Sequence, residues 1–112
     1  PPMKSTLHEE NGISTYVLEG RIDSIGAGEL EALLKQAVAE GRAKIVLDLS
    51  QVQYINSAGL RTLAEILTQC RAQEGDLRLV TVNPKVERVF RIIGFDRFFK
   101  SYDSVQDAIA NF

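Results

Sequence analysis

The stretch Lys44–Gly59, which reads KIVLDLSQVQYINSAG, decides the fold. Its first part, Ile45–Leu49, is an almost unbroken aliphatic run, which is typical of a strand covered on both faces. A polar loop is expected next, followed by a helix that starts near Ser57. The apolar residues then recur at helical spacing: Leu60, Leu63, Ala64, Leu67 and Cys70. Ser57 is therefore expected at the carboxyl end of a buried strand, where α/β folds meet their ligands and partners, and as the N-cap of the helix.

Length and composition indicate one globular domain over residues 1–112. The chain has 45% hydrophobic and 25% charged residues and a net charge of −2. It is long enough to bury a core without disulfides. The basic residues are scattered, which gives no reason to expect a nucleic-acid partner or an anionic membrane surface. The nearest approach to a basic cluster is interpreted as a solvated face: Lys85, Arg88, Arg91, Arg97 and Lys100.

A single cysteine, Cys70, excludes an intramolecular disulfide and fits a reducing compartment. No apolar run approaches the length of a membrane span, and no signal-type run opens the sequence, so we expect a cytoplasmic protein without direct membrane contact. Pro1 and Pro2 are left out of the fold prediction and are expected to be flexible.

The first third of the chain predicts a hairpin and a helix. Met3–Glu10 and Ile13–Glu19 flank Asn11-Gly12, a pair typical of type I′ turns. A turn is expected over Gly20–Asp23. The helix that follows is expected to start several residues after Ser24, because glycines loosen its first turn, and to end at Gly41.

The remaining chain predicts alternating helices and strands. The helix after Ser57 is expected to end near Gly75, and Leu77–Val82 to form a strand. Asn83 and Pro84 open the next helix, and Phe98–Tyr102 is the last predicted strand. The helix from Asn83 shows an apolar face of Val86, Val89, Phe90 and Ile93, and the last helix is predicted through Val105, Ala108 and Ile109, capped by Asp103 with Gln106 in a capping box.

This order predicts an α/β domain with a mainly parallel mixed sheet, an N-terminal antiparallel hairpin and four helices. In the helix after Ser57, four side chains are expected to face outward: Arg61, Thr62, Glu65 and Gln69.

The sequence does not point to an enzyme. The only histidine, His8, lies on a predicted strand. The sequence contains no nucleophile-elbow motif that would supply a catalytic serine for this histidine to activate. The histidine, cysteine and carboxylates show no metal-ligand spacing, and no phosphate-binding loop is present, so neither a metal nor a cofactor is expected. A phosphoacceptor site of the receiver type at Asp48 is also rejected. Such a domain needs a helix between its first two strands, where this chain has only a tight turn.

Several motifs together resemble the STAS family, whose best-known members are bacterial anti-sigma factor antagonists. The resemblance covers nearly the whole chain and rests on Leu18–Asp23, Asp48–Ser50, Tyr54-Ile55, the run Asn56–Leu60, and Asn83-Pro84. It implies that the protein binds an anti-sigma factor that is also a serine kinase using ATP, and so frees a sigma factor for transcription. Phosphorylation of Ser57 would then release the partner.

The resemblance also implies a set of partner contacts, whose members are Asp23, Asn56, Ser57, Ala58, Gly59, Arg61, Thr62 and Glu65. Two positions depart from the family pattern. Asn56 stands where phosphorylated members commonly have aspartate, and Ala58 replaces a second hydroxyl residue. For Asp23, a turn or helix-capping role is the favoured interpretation. The alternative function is a STAS subunit of a transport complex or signalling scaffold, in which Ser57 is a cap and is not phosphorylated.

Overall fold

Five strands form one mixed sheet in the computed structural model, which describes residues 2–81 and 83–112. The strands are β1 (Lys4–Glu10), β2 (Ile13–Ile22), β3 (Lys44–Ile55), β4 (Asp76–Val80) and β5 (Ser101–Tyr102). The helices are α1 (Ser24–Ala39), α2 (Ser57–Ala72), α3 (Pro84–Ile92) and α4 (Val105–Ala110), and Phe95–Arg97 is a 3₁₀ turn. The strands lie in chain order across the sheet; β1 and β2 are antiparallel and the others parallel. The predicted α/β architecture is confirmed.

The helices divide between the two faces of the sheet. Each parallel connection advances one position in the same direction, so right-handed crossovers place α1, α2 and α3 on one face. Leu47 and Leu49 of β3 pack in that cluster with residues of these helices. Val46, which lies between Ile45 and Leu47, points to the opposite face, where it packs with Ala108 of α4. Ile45–Leu49 is therefore covered on both sides, as its sequence predicted.

The N-terminal hairpin turns at Asn11 and Gly12, whose φ angles are 53° and 77°. Positive φ at both central residues defines the expected type I′ turn. The paired strand β2 is longer than predicted. It continues through Gly20 to Ile22, and no separate turn over Gly20–Asp23 forms.

The polar loop predicted after Leu49 is wrong, because β3 continues to Ile55. The pairing of β3 with β4 ends at Asp48, and beyond this residue β3 pairs only with β2. In this part of the strand Leu49, Val52 and Ile55 are buried, whereas Gln51, Gln53 and Tyr54 are exposed. A half-exposed strand of this kind carries polar residues that read as a loop in the sequence.

Several predicted element ends also move. Helix α1 begins at Ser24, without the expected delay. Strand β4 starts at Asp76, and Val82, its predicted last residue, lies outside the described residues, as does Pro1. Ile93 does not belong to a buried helix face, since it is 44% exposed.

The C-terminal segment differs most from its prediction. Only Ser101–Tyr102 forms a strand, because Phe95–Arg97 makes a 3₁₀ turn after Gly94, whose φ is 79°. The last helix is capped by Ser104, whose hydroxyl accepts a hydrogen bond from the Asp107 amide at 3.1 Å, and not by Asp103.

The loop between α2 and β4 is tightly packed against the start of β3. The Asp76 amide donates to the Ala43 carbonyl at 3.0 Å. A Cβ added at Gly75 would overlap that same carbonyl. Glycine is required here by space, since Gly75 is not among the residues with positive φ.

Candidate functional site

Two helices begin side by side at one end of the sheet. Ile22 and Ile55, the last residues of β2 and β3, are paired, and the Asn56 amide donates to the Ile22 carbonyl at 2.9 Å. Asp23 caps α1 by accepting a hydrogen bond from the Gly26 amide at 3.0 Å. The two helix N-termini, with their partial positive charge, therefore lie next to each other at the carboxyl ends of adjacent parallel strands.

Helix α2 is capped by Asn56, and the prediction of Ser57 as N-cap is wrong. Asn56 is extended, with φ −87° and ψ 175°, and its Oδ1 accepts a hydrogen bond from the Gly59 amide at 2.8 Å. Ser57 is the first helical residue, and its side chain is exposed. Because the side-chain oxygen of the neighbouring Asn56 accepts the capping hydrogen bond, the serine hydroxyl is available at the surface.

Gly59 lets the start of α2 pack closely on the strand ends. A Cβ at this position would lie 2.9 Å from both Ile22 Cγ2 and Ile55 Cγ1. Such distances are shorter than van der Waals contact, so a larger residue would displace the loop that carries Ser57. Gly59 is itself buried, and its role is to position its neighbours.

A shallow groove runs between α1 and α2 with a volume of about 300 Å³. Its lining residues are Ser24, Ala27, Gly28 and Glu31 of α1, and Ala58, Arg61, Thr62 and Glu65 of α2. Arg61 and Glu65 are exposed as predicted. The outward orientation predicted for Thr62 is wrong, since only 5% of this residue is accessible. Helix α2 is covered by α1 as well as by the sheet, so its buried face is wider than an amphipathic pattern suggests.

One exposed apolar residue near the site was not predicted from the sequence. Ile25, in the first turn of α1, is 76% exposed. Close by, Arg21 stacks on the Tyr54 ring, with the guanidinium carbon 4.4 Å from the ring centroid, and that tyrosine is 40% exposed. A single isoleucine between a capping aspartate and two glycines carries no periodic signal in the sequence, so only the structure identifies it as a surface residue.

The remaining candidate side chains lie elsewhere. His8 is exposed on β1. Asp48 is in the middle of β3, where its Oδ1 accepts a hydrogen bond from the Ser50 amide at 3.0 Å. Cys70 is fully buried in α2, and burial raises the pKa of its thiol to about 11. Within residues 2–81 and 83–112, no three histidine, cysteine or acidic side chains are grouped as metal ligands would be.

Comparison with known protein families decides the classification. Residues 4–108 match the STAS domain. The chain belongs to the STAS domain family. Several members of this family that resemble the chain are named as anti-sigma factor antagonists. In the described part of the chain, no helix is long and apolar enough to cross a membrane.

Two relatives and one solved structure illustrate the similarity. BtrV of Bordetella bronchiseptica, provisionally named an anti-sigma factor antagonist, is 38% identical over 98% of this chain and 95% of its own. The anti-sigma-F factor antagonist RsfB of Mycobacterium tuberculosis is 29% identical over 93% of this STAS domain and 84% of its own length. The crystal structure of an anti-sigma factor antagonist from Mycobacterium paratuberculosis is 28% identical and superposes with a TM-score of 0.88, covering 96% of this chain and 92% of that one.

Proposed function

We propose that this STAS domain is an anti-sigma factor antagonist whose binding to a kinase-type anti-sigma factor is switched by phosphorylation of Ser57. The relatives named above support the antagonist role. The observation that carries the switch is the position of Ser57: exposed, at the first turn of α2, and relieved of the capping role by Asn56. The chain would serve as substrate and switch, with the kinase supplying the chemistry.

The start of α2 suits a phosphoryl group. The amides of Ser57 and Ala58 are among the first of the helix and have no intrahelical acceptor. The positive end of the helix dipole favours an anion there. Arg61, one turn further along, is exposed on the same helical face and can pair with a phosphate on Ser57. The folded domain should therefore accept the modification without unfolding.

The docking surface we propose consists of the paired helix starts and the groove between α1 and α2. Ile25 supplies an exposed apolar contact, while Arg61 and Glu65 supply charges at the groove. A phosphate of charge near −2 placed on Ser57 would then have to be desolvated and accommodated in the interface. Phosphorylation is expected to weaken the complex through this desolvation cost.

Asn56 is the feature that favours the alternative function, a STAS subunit of a transport complex or scaffold that is never phosphorylated. Its amide oxygen caps the helix as a carboxylate would, but it brings no negative charge to position a kinase. The two proposals differ in one measurable event, the transfer of phosphate to Ser57.

The test is intact-mass analysis after incubation with ATP and a kinase-type anti-sigma factor from the same genome. We expect a gain of about 80 daltons, the mass of one phosphoryl group, and no gain in Ser57→Ala. The kinase is checked separately on another antagonist substrate. If that control is phosphorylated and this chain is not, the scaffold role is favoured.

A further inference from the structure

Strand β1 is an open edge of the sheet. It is the last strand on its side, and all seven of its residues are exposed. Its pairing with β2 is continuous from Lys4 opposite Glu19 to Glu10 opposite Ile13. No bulge or proline interrupts it, although these are common devices that protect edges from pairing. The opposite edge, β5, is only two residues long.

The hairpin turn determines which backbone groups of β1 face away from β2. A two-residue type I′ turn closes on a hydrogen-bonded pair, here Glu10 and Ile13. Hydrogen-bonded and non-hydrogen-bonded pairs alternate along an antiparallel ladder. The N–H and C=O groups of Ser5, Leu7 and Glu9 therefore point outward, where the backbone of a further strand could form hydrogen bonds with them.

The outward groups are self-complementary. When two copies of β1 run antiparallel about a two-fold axis at Leu7, Ser5 of one copy lies opposite Glu9 of the other, and the two leucines lie opposite each other. Each of these pairs consists of outward-facing residues, so each can exchange two hydrogen bonds. Leu7, which is 42% exposed, would be covered by its counterpart.

The charges select this register. About the same axis, Lys4 of each copy lies opposite Glu10 of the other, on the face of the strand shared with Thr6 and His8. If the two-fold axis passed through His8 instead of Leu7, the two His8 side chains would lie opposite each other. Lys4 would then lie beyond the paired segment and would lose its contact with Glu10. The carboxylate of Glu9 is already near a cation of its own chain, since its Oε1 lies 3.7 Å from Arg42 Nη1.

We propose that the protein forms a reversible homodimer by antiparallel pairing of β1 with β1 of a second copy, centred on Leu7. The two sheets would join into one sheet of ten strands. Because the axis is perpendicular to the sheet, the Ser57 loops of the two copies would lie at opposite ends and both remain accessible. This inference does not depend on the proposed function.

The test is sedimentation equilibrium up to millimolar concentration with a charge-exchange pair of variants. Lys4→Glu and Glu10→Lys each place like charges opposite one another twice, so each alone should dimerise about tenfold more weakly than the wild type. An equimolar mixture of the two should regain the dimer, because every facing pair is again of opposite charge. Lys85→Glu on α3 is the matched control and should behave as the wild type.

A backbone variant gives an independent readout. Leu7→Pro removes an outward amide while leaving the groups that bond β2, so circular dichroism should be retained and the dimer lost. A wild type that stays monomeric at millimolar concentration overturns the proposal. A dimer that survives both single charge reversals and Leu7→Pro overturns it as well, since the contact would then lie elsewhere.

Discussion

Because Asn56 caps α2 and Ser57 does not, we predict that substitution of Asn56 destabilises the domain and that substitution of Ser57 leaves its stability nearly unchanged. Asn56→Ala removes the acceptor that the Gly59 amide meets at 2.8 Å. Loss of such a cap costs about 1 kcal/mol of unfolding free energy, within a range of about 0.5–2. In a domain of this size that corresponds to a fall of about 4 °C in Tm. Ser57→Ala removes an exposed hydroxyl that does not cap the helix, so the change should stay within about 0.5 kcal/mol.

Urea denaturation followed by circular dichroism measures both effects. Asn56→Asp serves as the matched control, because it keeps an acceptor and adds a negative charge at the helix N-terminus. It should therefore be as stable as the wild type or more stable by about 0.3–1 kcal/mol. An equal loss of stability in Ser57→Ala and Asn56→Ala would contradict this prediction. The serine hydroxyl would then be a structural cap in solution and would not be free for a kinase.

Three further predictions follow from local contacts. Ile25→Glu should weaken binding to the anti-sigma partner roughly tenfold by placing a charge in the proposed interface, whereas Ile92→Glu, equally exposed on α3, should not; equal effects would contradict the docking surface. Cys70 should resist thiol reagents at pH 8, because burial raises its pKa to about 11, and should react at once in denaturant; rapid labelling of the native protein would contradict its burial. Gly75→Ala should lower the free energy of unfolding by about 1–3 kcal/mol, because the added Cβ would overlap backbone atoms. Gly28→Ala should raise it by up to about 1 kcal/mol, because Gly28 lies in an exposed helix turn with no atom near the added Cβ. Thermal melting temperatures that shift in the same direction for both variants would contradict this prediction.

The sequence predicts elements best where one short signal has a single physical solution. Asn11-Gly12 supplies positive φ twice, and the hairpin forms as expected. Asn83-Pro84 combines a capping side chain with a residue that lacks an amide hydrogen, and α3 starts there, with Asn83 Oδ1 accepting from the Lys85 amide at 2.9 Å. In these cases the local chemistry determines the structure without reference to neighbours.

Predictions fail where tertiary neighbours decide. Ser50 to Tyr54 reads as a loop because its residues are polar, but β2 continues alongside and pairs with it. Thr62 reads as an outward residue because its burial depends on α1, which packs across α2. Asparagine and serine are both good N-cap residues, so the sequence alone does not show whether Asn56 or Ser57 caps α2. The cap is the residue whose backbone is extended at the strand end, and that residue is Asn56.

The most direct test of the central claim is the affinity of the unmodified and Ser57-phosphorylated protein for the same anti-sigma factor, measured by titration calorimetry. We predict clear binding by the unmodified form and weak or undetectable binding by the phosphorylated form, with the same circular dichroism spectrum for both. Equal affinity of the two folded forms would contradict the proposed phosphorylation switch.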